Sequence, residues 1–317
     1  MSTRELTFPL VLHRRIAGLP FGTMRSSRRG VGRDLAGSRP YRPGDDVRTI
    51  DHRVSARLSS TSGRDEFVVR EHLTEEAPRV VIVVDRRPGM ALFPDELPWL
   101  RKPEAIAAAG ELIVESALRA RGLVGYLDDA DGAHPDPRKR GESPFWRAPD
   151  GRTEAWRVSE RYLRYGGFFA PEDCLARSFE HLVALDRALP TGSFVFVLSD
   201  FLVLPPQGLL LHGLARGWDV VPVVIQDPRW EQSFPDIAGV VLPFADPATG
   251  RLSLVRLTRA EAAERRRENE ERLRGILTHF ESLGLDWVLL PRDDFGSIFE
   301  AFLTWAVNRR EGGRRLR

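Results

Sequence analysis

The chain has 317 residues, which is long enough for one large domain or two. Hydrophobic residues make up 42% and charged residues 29% of it, a balance typical of folded globular proteins that excludes a largely disordered chain. The formal net charge is only +2, so composition does not favour nucleic acid or a membrane surface as the main partner. Lysine occurs only at Lys102 and Lys139, and we interpret the abundant arginine, which is spread along the chain, as compositional bias.

The single cysteine, Cys174, excludes a disulfide within the chain and a cysteine metal cluster. It lies in a predicted helix, where we expect a buried structural thiol. The first twelve residues lack the basic start and long apolar stretch of a signal peptide, and no apolar run approaches the ~18 residues of a membrane span. We therefore expect a cytoplasmic protein with no integral membrane segment.

The first ~75 residues are rich in arginine, glycine and turn dipeptides, and they predict an irregular segment that contains some β-structure. Within it, residues 25–33 (RSSRRGVGR) are interpreted as an exposed flexible arm, with phosphate or nucleic-acid binding as the alternative. A continuous apolar run at 79–85 (RVVIVVD) then predicts a buried parallel strand that ends in a carboxylate.

Strands and helices alternate from that point to the end of the chain. Further strands are predicted at 123–129, 193–200, 219–225, 239–244, 252–257 and 285–290, and a loop or edge hairpin at 130–150. Helices are predicted at 102–121, 153–164, 172–189, 207–216, from a Thr258/Glu261 capping box to about Leu283, and at 295–308.

This alternation predicts an α/β fold with a doubly wound, mostly parallel sheet and helices on both faces. We expect an N-terminal segment at 1–78, an α/β domain at 79–308 and a flexible tail at 309–317. Asp85 and Asp200 both end predicted strands. Because ligands bind such sheets at the carboxyl ends of the strands, the two aspartates are expected to face one crevice.

The stretch RPYRPGDDVRTIDHRVSAR (39–57) resembles the signature of the bacterial domain-of-unknown-function family number fifty-eight. The matching residues are Arg39, Tyr41, Pro43, Gly44, Asp45, Asp46, Arg48, Ile50, Asp51, Ala56 and Arg57, and His52 stands where the family has tryptophan. The later blocks VVIVVD, LSDF and IQDPRWE fit as well. The resemblance implies a von Willebrand factor A-like fold and association with AAA+ ATPases of the MoxR type in protein assembly or maturation.

A von Willebrand factor A domain usually holds Mg²⁺ with Asp-x-Ser-x-Ser after the first strand, a later threonine and a later aspartate. Here Arg87 and Gly89 replace the two serines, and Phe168, after Gly167, stands where the threonine is expected. Asp85 and Asp200 remain, beside Ser199. The resemblance therefore implies a degenerate metal-ion-dependent adhesion site, and weak Mg²⁺ binding by the two aspartates is disfavoured but left open.

We predict that the guanidinium of Arg87 takes the place of the metal and bridges Asp85 and Asp200. The alternative is that Arg87 points to solvent. The signature motif has two interpretations as well: a partner-docking surface, or a network of turns and ion pairs that stabilises the N-terminal segment. We favour the second, because dense charge pairs usually satisfy one another.

The sequence favours a non-catalytic interaction protein that works with a MoxR-type AAA+ ATPase. No catalytic residues and no cofactor are predicted. Two alternatives from other classes stay open: a Mg²⁺-dependent hydrolase that uses Asp85 and Asp200, and a nucleic-acid-binding protein that uses the arginine-rich arm. Ser199 has no basic partner in the sequence that would make it a nucleophile.

Overall fold

A computed structural model describes residues 6–12, 25–41, 47, 50–63, 66–75, 77–91, 99–130, 138, 144–185, 189–246 and 251–315. The described residues form two compact units. The larger takes in those of Met1–Arg14 and Pro78–Arg317, and the smaller takes in those of Arg15–Ala77. The domain boundary near residue 78 and the flexible tail stay predictions.

The smaller unit is a β-hairpin with one helix. Strand β1 (Arg25–Pro40) pairs antiparallel with β2 (Val68–Glu75), and helix α1 (His52–Ser62) lies between them in the chain. The interpretation of residues 25–33 as a flexible arm was wrong, because their backbone forms part of β1. Helix α1 was not predicted from the sequence.

The strands of the larger unit are β3 (Arg79–Val84), β4 (Leu123–Asp128), β5 (Phe145–Asp150), β6 (Phe194–Ser199), β7 (Asp219–Ile225), β8 (Val241–Ala245), β9 (Leu252–Arg256) and β10 (Val288–Leu290). Six of them form the central sheet in the order β10-β7-β6-β3-β4-β5. All neighbours in this sheet are parallel except β5, which pairs antiparallel with β4 at one edge.

The helices of the larger unit are α2 (Lys102–Arg119), α3 (Thr153–Tyr165), α4 (Cys174–Ala184), α5 (Gln207–Ala215), α6 (Arg259–Ser282) and α7 (Phe295–Arg315). They cover both faces of the sheet. On one face, Val195 and Val197 of β6 pack with Phe179 of α4 and Phe280 of α6. On the other face, Phe196 packs against aromatic rings of α7. The predicted doubly wound, mostly parallel fold is therefore confirmed.

The described residues near the N-terminus belong to the core of this unit. Phe8 stacks on Phe302 of α7 with ring centroids 4.8 Å apart, and its backbone N–H donates to Ser116 Oγ (3.1 Å). Helix α7 continues beyond the predicted end at Asn308. The buried guanidinium of Arg309 donates to both carboxylate oxygens of Asp219 and to the backbone carbonyl of Val11, so tertiary contacts hold the helix past that point.

Strands β8 and β9 form a separate two-stranded antiparallel ribbon. One face of the ribbon covers a small core of Phe234, Leu257 and Ala262, and Leu242, Phe244 and Val255 pack against that core. Helix α6 starts beside it with the predicted capping box, in which Thr258 Oγ1 accepts from Glu261 N–H (3.2 Å) and Glu261 accepts from Thr258 N–H (2.7 Å).

Candidate functional site

The candidate site lies where the chain changes direction across the sheet. From β3 the chain moves to β4 and β5 on one side, and from β6 it moves to β7 and β10 on the other. Neighbouring parallel strands whose connections diverge leave a crevice at their carboxyl ends, which is where doubly wound sheets bind ligands. Asp85 follows β3 and Asp200 follows β6, so both aspartates stand at this point, and both are buried.

Arg87 bridges the two aspartates. Its Nη2 lies 2.6 Å from Asp85 Oδ2 and 2.6 Å from Asp200 Oδ1, and its Nε donates to both oxygens of Asp85 at 3.0–3.1 Å. Burial alone would lower the pKa of Arg87, but the hydrogen bonds and charges of the two carboxylates outweigh burial and raise it. The guanidinium is thus permanently charged, and the predicted bridge is confirmed.

Asp85 accepts further hydrogen bonds from its surroundings. Ser199 Oγ donates to Asp85 Oδ2 (2.6 Å) and accepts from Phe201 N–H (2.9 Å), so this hydroxyl is held in a fixed orientation. Cys174 is buried, as predicted, and its Sγ lies 3.4 Å from Asp85 Oδ1. Burial and the nearby Asp85 carboxylate raise the pKa of the thiol, which keeps it protonated and unreactive.

A buried lysine, which the sequence analysis did not include in the site, completes the cluster. Lys102 Nζ, in the first turn of α2, donates to Asp200 Oδ2 (3.0 Å), to Glu231 Oε1 and to the carbonyl oxygen of Gly89 (3.3 Å). Burial alone would lower the pKa of Lys102, but the carboxylates of Asp200 and Glu231 raise it. Burial would likewise raise the pKa of Asp200, yet Lys102 and Arg87 lower it. Burial raises the pKa of Glu231 as well, and Lys102 opposes that rise, so the ammonium favours the charged form of both carboxylates.

The IQDPRWE block forms the turn that brings Glu231 to Lys102. Asp227 caps this turn through Oδ1, which accepts from the N–H groups of Arg229 (2.8 Å) and Trp230 (3.1 Å). Its other oxygen accepts from the N–H groups of Trp99 (3.0 Å) and Leu100 (3.2 Å), just before α2. Asp227 and Glu231 together therefore fix the start of α2 against the loop after β7.

The predicted threonine-loop residues lie beside a second buried arginine, Arg86, which the sequence analysis also missed. Its guanidinium donates to Asp128 Oδ2 (3.2 Å), to Tyr126 Oη (3.0 Å) and to carbonyl oxygens at the end of α3 and at Gly166. The ring of Phe168 lies 4.9 Å from the Arg86 guanidinium carbon. The ring of Phe168 therefore packs on Arg86, and no hydrogen bond or ion pair of the described residues joins Gly167 or Phe168 to Arg87 or Asp200.

The side chains at the crevice do not fit a bound Mg²⁺. This ion needs a nearly octahedral set of oxygens at about 2.0–2.1 Å. All four carboxylate oxygens of Asp85 and Asp200 already accept from cationic or backbone donors. The guanidinium of Arg87 also lies between the two carboxylates, where it would repel a divalent cation. Gly89 has no hydroxyl that could bind a metal, and its carbonyl oxygen accepts from Lys102.

A strained turn carries the chain out of this cluster onto the surface. Phe201 has a positive φ of 53°, which is unusual for a bulky residue. The turn is held by Leu202 N–H, which donates to Asp200 Oδ1 (3.0 Å), and by the ring of Phe201, which packs edge-on against Phe280. The next residues are apolar and exposed by more than a third: Leu202, Val203 and Leu204.

Two exposed aromatic side chains lie at the same edge of the sheet. Trp99 is 62% exposed next to the Asp227 turn, and Phe169 is 39% exposed beside Ala170, whose N–H donates to the Arg86 carbonyl oxygen (3.0 Å). With Leu202, Val203 and Leu204, these residues form what we call the apolar rim. Exposed apolar side chains at one edge of a sheet are candidates for a protein-binding surface.

The signature motif lies in the smaller unit, and only part of it is described. Pro43, Gly44, Asp45, Asp46 and Arg48 fall outside the described residues, so the predicted turn at Pro43–Gly44 is not tested. Arg39 is in β1 opposite Val69, Tyr41 N–H donates to the Phe67 carbonyl oxygen (2.7 Å), and Ile50 forms an isolated bridge with Val69. The side chains of Ala56 and Arg57 are exposed on α1.

Asp51 shows a structural role within this motif. Its carboxylate accepts from the N–H groups of Arg53 (3.1 Å) and Val54 (3.2 Å) and so caps α1. Its own N–H donates to the Val68 carbonyl oxygen (2.8 Å), which ties the start of the helix to β2. At this residue the motif stabilises the fold of the smaller unit.

Among the helices in the described part of the chain, none is both long and apolar enough to span a lipid bilayer. No curated protein matches the chain. Among solved structures, it is similar to an aerotolerance-related membrane protein from Bacteroides fragilis, with 12% identity, a TM-score of 0.37, and coverage of 73% of this chain and 99% of that one. It is also similar to the pilus adhesin SpaC from Lactobacillus rhamnosus GG, with 11% identity, a TM-score of 0.33, and coverage of 74% and 31%. Both likenesses are too weak to indicate a shared function.

One family model matches most of the chain. It spans residues 37–274, which include the signature motif, the strands that carry Asp85 and Asp200, and the Asp227 turn. The match confirms the resemblance drawn from those blocks: the chain belongs to the family described as "Protein of unknown function DUF58".

Proposed function

We propose that the protein is a non-catalytic interaction module that binds a partner protein on the carboxyl edge of its sheet. The partner is a MoxR-type AAA+ ATPase, in keeping with the resemblance described above, and the work of the pair is protein assembly or maturation. A cytoplasmic location is part of the same proposal.

The observation that carries this proposal is the Arg87 bridge. Asp85 and Asp200 are the residues that a hydrolase would use to hold a metal or to act as a general base. Each carboxylate is paired with a buried cation at hydrogen-bonding distance and accepts further hydrogen bonds, so both are poorly placed to hold a metal or to take a substrate proton. The cluster is instead arranged to fix three loops rigidly at one edge of the sheet.

The surface above those loops supports protein binding. The apolar rim is exposed, whereas the charged groups below it are sealed from solvent and satisfied by one another. A partner that covers the rim would bury apolar area without having to desolvate an unpaired charge. The fixed loops would limit the conformational entropy that is lost on binding.

Affinity purification of the tagged protein from its own host, followed by mass spectrometry and by reconstitution with the recovered ATPase, tests the proposal. We expect binding that persists in EDTA when no nucleotide is present, because no metal joins the two proteins. The variant Val203→Asp/Leu204→Asp should bind at least tenfold more weakly. A matched control is Leu303→Asp/Val307→Asp on α7, where the exposed fractions are similar (38% and 41%, against 37% and 37%).

Failure to recover an ATPase under any nucleotide condition would overturn the choice of partner. Equal weakening by the rim variant and the α7 control would overturn the choice of surface. Loss of binding in EDTA without nucleotide would show that a metal takes part.

A further inference from the structure

The β8–β9 ribbon presents an apolar outer face that nothing in the described chain covers. Val241 of β8 is 52% exposed, and Leu252 and Leu254 of β9 are 68% and 75% exposed. The register pairs Val241 with Arg256 and Pro243 with Leu254, and Leu252 lies two residues before Leu254, so these residues share one face. The opposite face is the one that packs on the core of Phe234, Leu257 and Ala262.

The hydrogen-bonding pattern of the ribbon shows which peptide groups point away from it. Asp246 N–H donates to the Arg251 carbonyl oxygen (2.9 Å), so residues 246 and 251 form a hydrogen-bonded pair. Such pairs alternate along an antiparallel ladder, which makes Ser253 and Val255 the next residues of β9 that bond to β8. Leu252, Leu254 and Arg256 therefore direct their N–H and C=O groups to the open edge of β9.

The two edges of the ribbon differ in their protection. Pro243 lies opposite Leu254, at a position where the ladder needs no N–H, so its ring stands on the outer edge of β8 and blocks strand addition there. The sequence of β9, LSLVR, contains no proline and no acidic residue. Its one charged side chain, Arg256, donates through Nε to the Gly239 carbonyl oxygen (3.0 Å). Among the described residues, no strand other than β8 pairs with β9.

We propose that β9 pairs antiparallel with β9 of a second copy of this chain, about a two-fold axis at Leu254. Antiparallel pairing of identical strands is self-complementary, as a two-fold interface requires. In this register Leu254 faces its own equivalent, and Leu252 faces Arg256 of the second copy. Like charges therefore do not meet, and the aliphatic stem of Arg256 can cover Leu252.

The ribbon is short, and this sets the strength of the contact. Five residues per strand bury less than the roughly 800 Å² per partner of a standard stable interface. We therefore expect a weak, concentration-dependent dimer rather than an obligate one. The pairing would join two ribbons into one four-stranded sheet, with Leu252, Leu254 and Arg256 of both copies on its outer face.

Disulfide trapping tests the register in the full-length protein. Cys174 is buried, so an introduced cysteine is the reactive thiol. Leu254→Cys should form a covalent dimer under mild oxidation, because residues directly opposite in such a pair have Cα atoms about 5.5 Å apart. Leu252→Cys is the matched control and should stay monomeric, since the two copies of residue 252 would lie roughly 14 Å apart along the strands.

Sedimentation equilibrium gives a second readout that needs no cross-link. Leu254→Lys places a charge on each side of the axis at an exposed position, so it should leave the fold intact and weaken dimerisation at least tenfold. Leu211→Lys, at another exposed leucine on α5, should leave it unchanged. A monomeric wild-type protein at high concentration, or trapping of Leu252→Cys in preference to Leu254→Cys, would overturn the proposal.

Discussion

The ammonium nitrogen of Lys102 lies 3.0 Å from Oδ2 of Asp200, although the two residues are far apart in the chain. The contact joins the first turn of α2 to the end of β6. The same ammonium binds Glu231 in the turn after β7, so one lysine connects three parts of the carboxyl edge. In a chain whose other basic residues are nearly all arginine, lysine with its compact ammonium occupies the buried position where three acceptors converge.

We expect Lys102→Met to lower the free energy of unfolding by about 3–5 kcal/mol, because it leaves the carboxylates of Asp200 and Glu231 buried with one cation fewer. Lys102→Arg should also destabilise the protein, since the planar guanidinium is larger than the ammonium that this closed position holds. Urea unfolding measures both. Arg101→Met is the control. The ion pair that Arg101 forms with Asp293 is half exposed, so its loss should lower the free energy of unfolding by at most about 1 kcal/mol. A similar loss for Arg101→Met and Lys102→Met would contradict the assigned role of Lys102.

The sequence allowed the Arg87 bridge to be predicted because its partners are set by local pattern and strand order. Arg87 is two residues from Asp85, and Asp200 ends the other buried strand. Glu231 and Lys102 could not be placed in this way, since their contact depends on how the loop after β7 meets the start of α2. The rarity of lysine was the one available signal, and it was interpreted as compositional bias.

In the fold, too, the elements with strong local sequence patterns were predicted and those without them were missed. The apolar strands β3, β6 and β7 and the capping box of α6 have strong local patterns, and their predicted limits agree closely with the structure. Helix α1 was missed because four of the eleven residues of HRVSARLSSTS are serine, which has low helix propensity. Its available signal was Asp51, a favoured capping residue. Strand β1 was not predicted as one long strand because its arginine- and glycine-rich sequence has no period-two alternation of apolar residues.

Arg87→Met should destabilise the protein by about 3–5 kcal/mol, because two carboxylates would then face each other in the interior. The chain offers a matched control in Asp150 and Arg152. This pair has the same spacing and the same distances as Asp85 and Arg87, but Arg152 is 79% exposed. Arg152→Met should therefore leave the free energy of unfolding nearly unchanged in the same experiment, because solvent screens this exposed pair.

Thermal unfolding of the wild-type protein should not respond to metal. We expect equal midpoints in millimolar Mg²⁺ and in EDTA, since Arg87 already neutralises Asp85 and Asp200. Asp85→Asn serves as the reference variant that lacks one of the two aspartate carboxylates. A rise in the wild-type midpoint with Mg²⁺ that Asp85→Asn abolishes would show that the aspartates bind the ion despite Arg87.

Asp129 should make stability depend on pH in the mildly acidic range. Burial raises the pKa of its carboxyl from 3.8 to about 6; Arg177 opposes the rise, and Asp128 and Asp173 add to it. The folded state therefore binds this proton more tightly than the unfolded state. The resulting stabilisation is present below pH ~4 and is lost as the pH rises towards 6.

Asp129→Asn should remove that loss. We expect the variant to match the wild type at pH 4 and to exceed it by about 1–3 kcal/mol at pH 7.5, as measured by chemical unfolding at both values. The opposite result would be that Asp129→Asn is less stable than the wild type at pH 7.5. In that case the ion pair of Asp129 with Arg177 outweighs the cost of burying the charge.

Asp51 offers a test of the two interpretations of the signature motif. Asp51→Ala removes the cap of α1 and should destabilise that helix by about 1 kcal/mol, seen as faster hydrogen exchange at the N–H groups of Arg53 and Val54. Asp51→Asn keeps a side-chain oxygen that can accept the same hydrogen bonds, so its exchange should stay close to that of the wild type. If Asp51→Asn leaves exchange unchanged but weakens binding of the ATPase partner, the charge of Asp51 serves docking rather than folding. If Asp51→Ala changes both exchange and binding while Asp51→Asn changes neither, the structural interpretation holds at this residue.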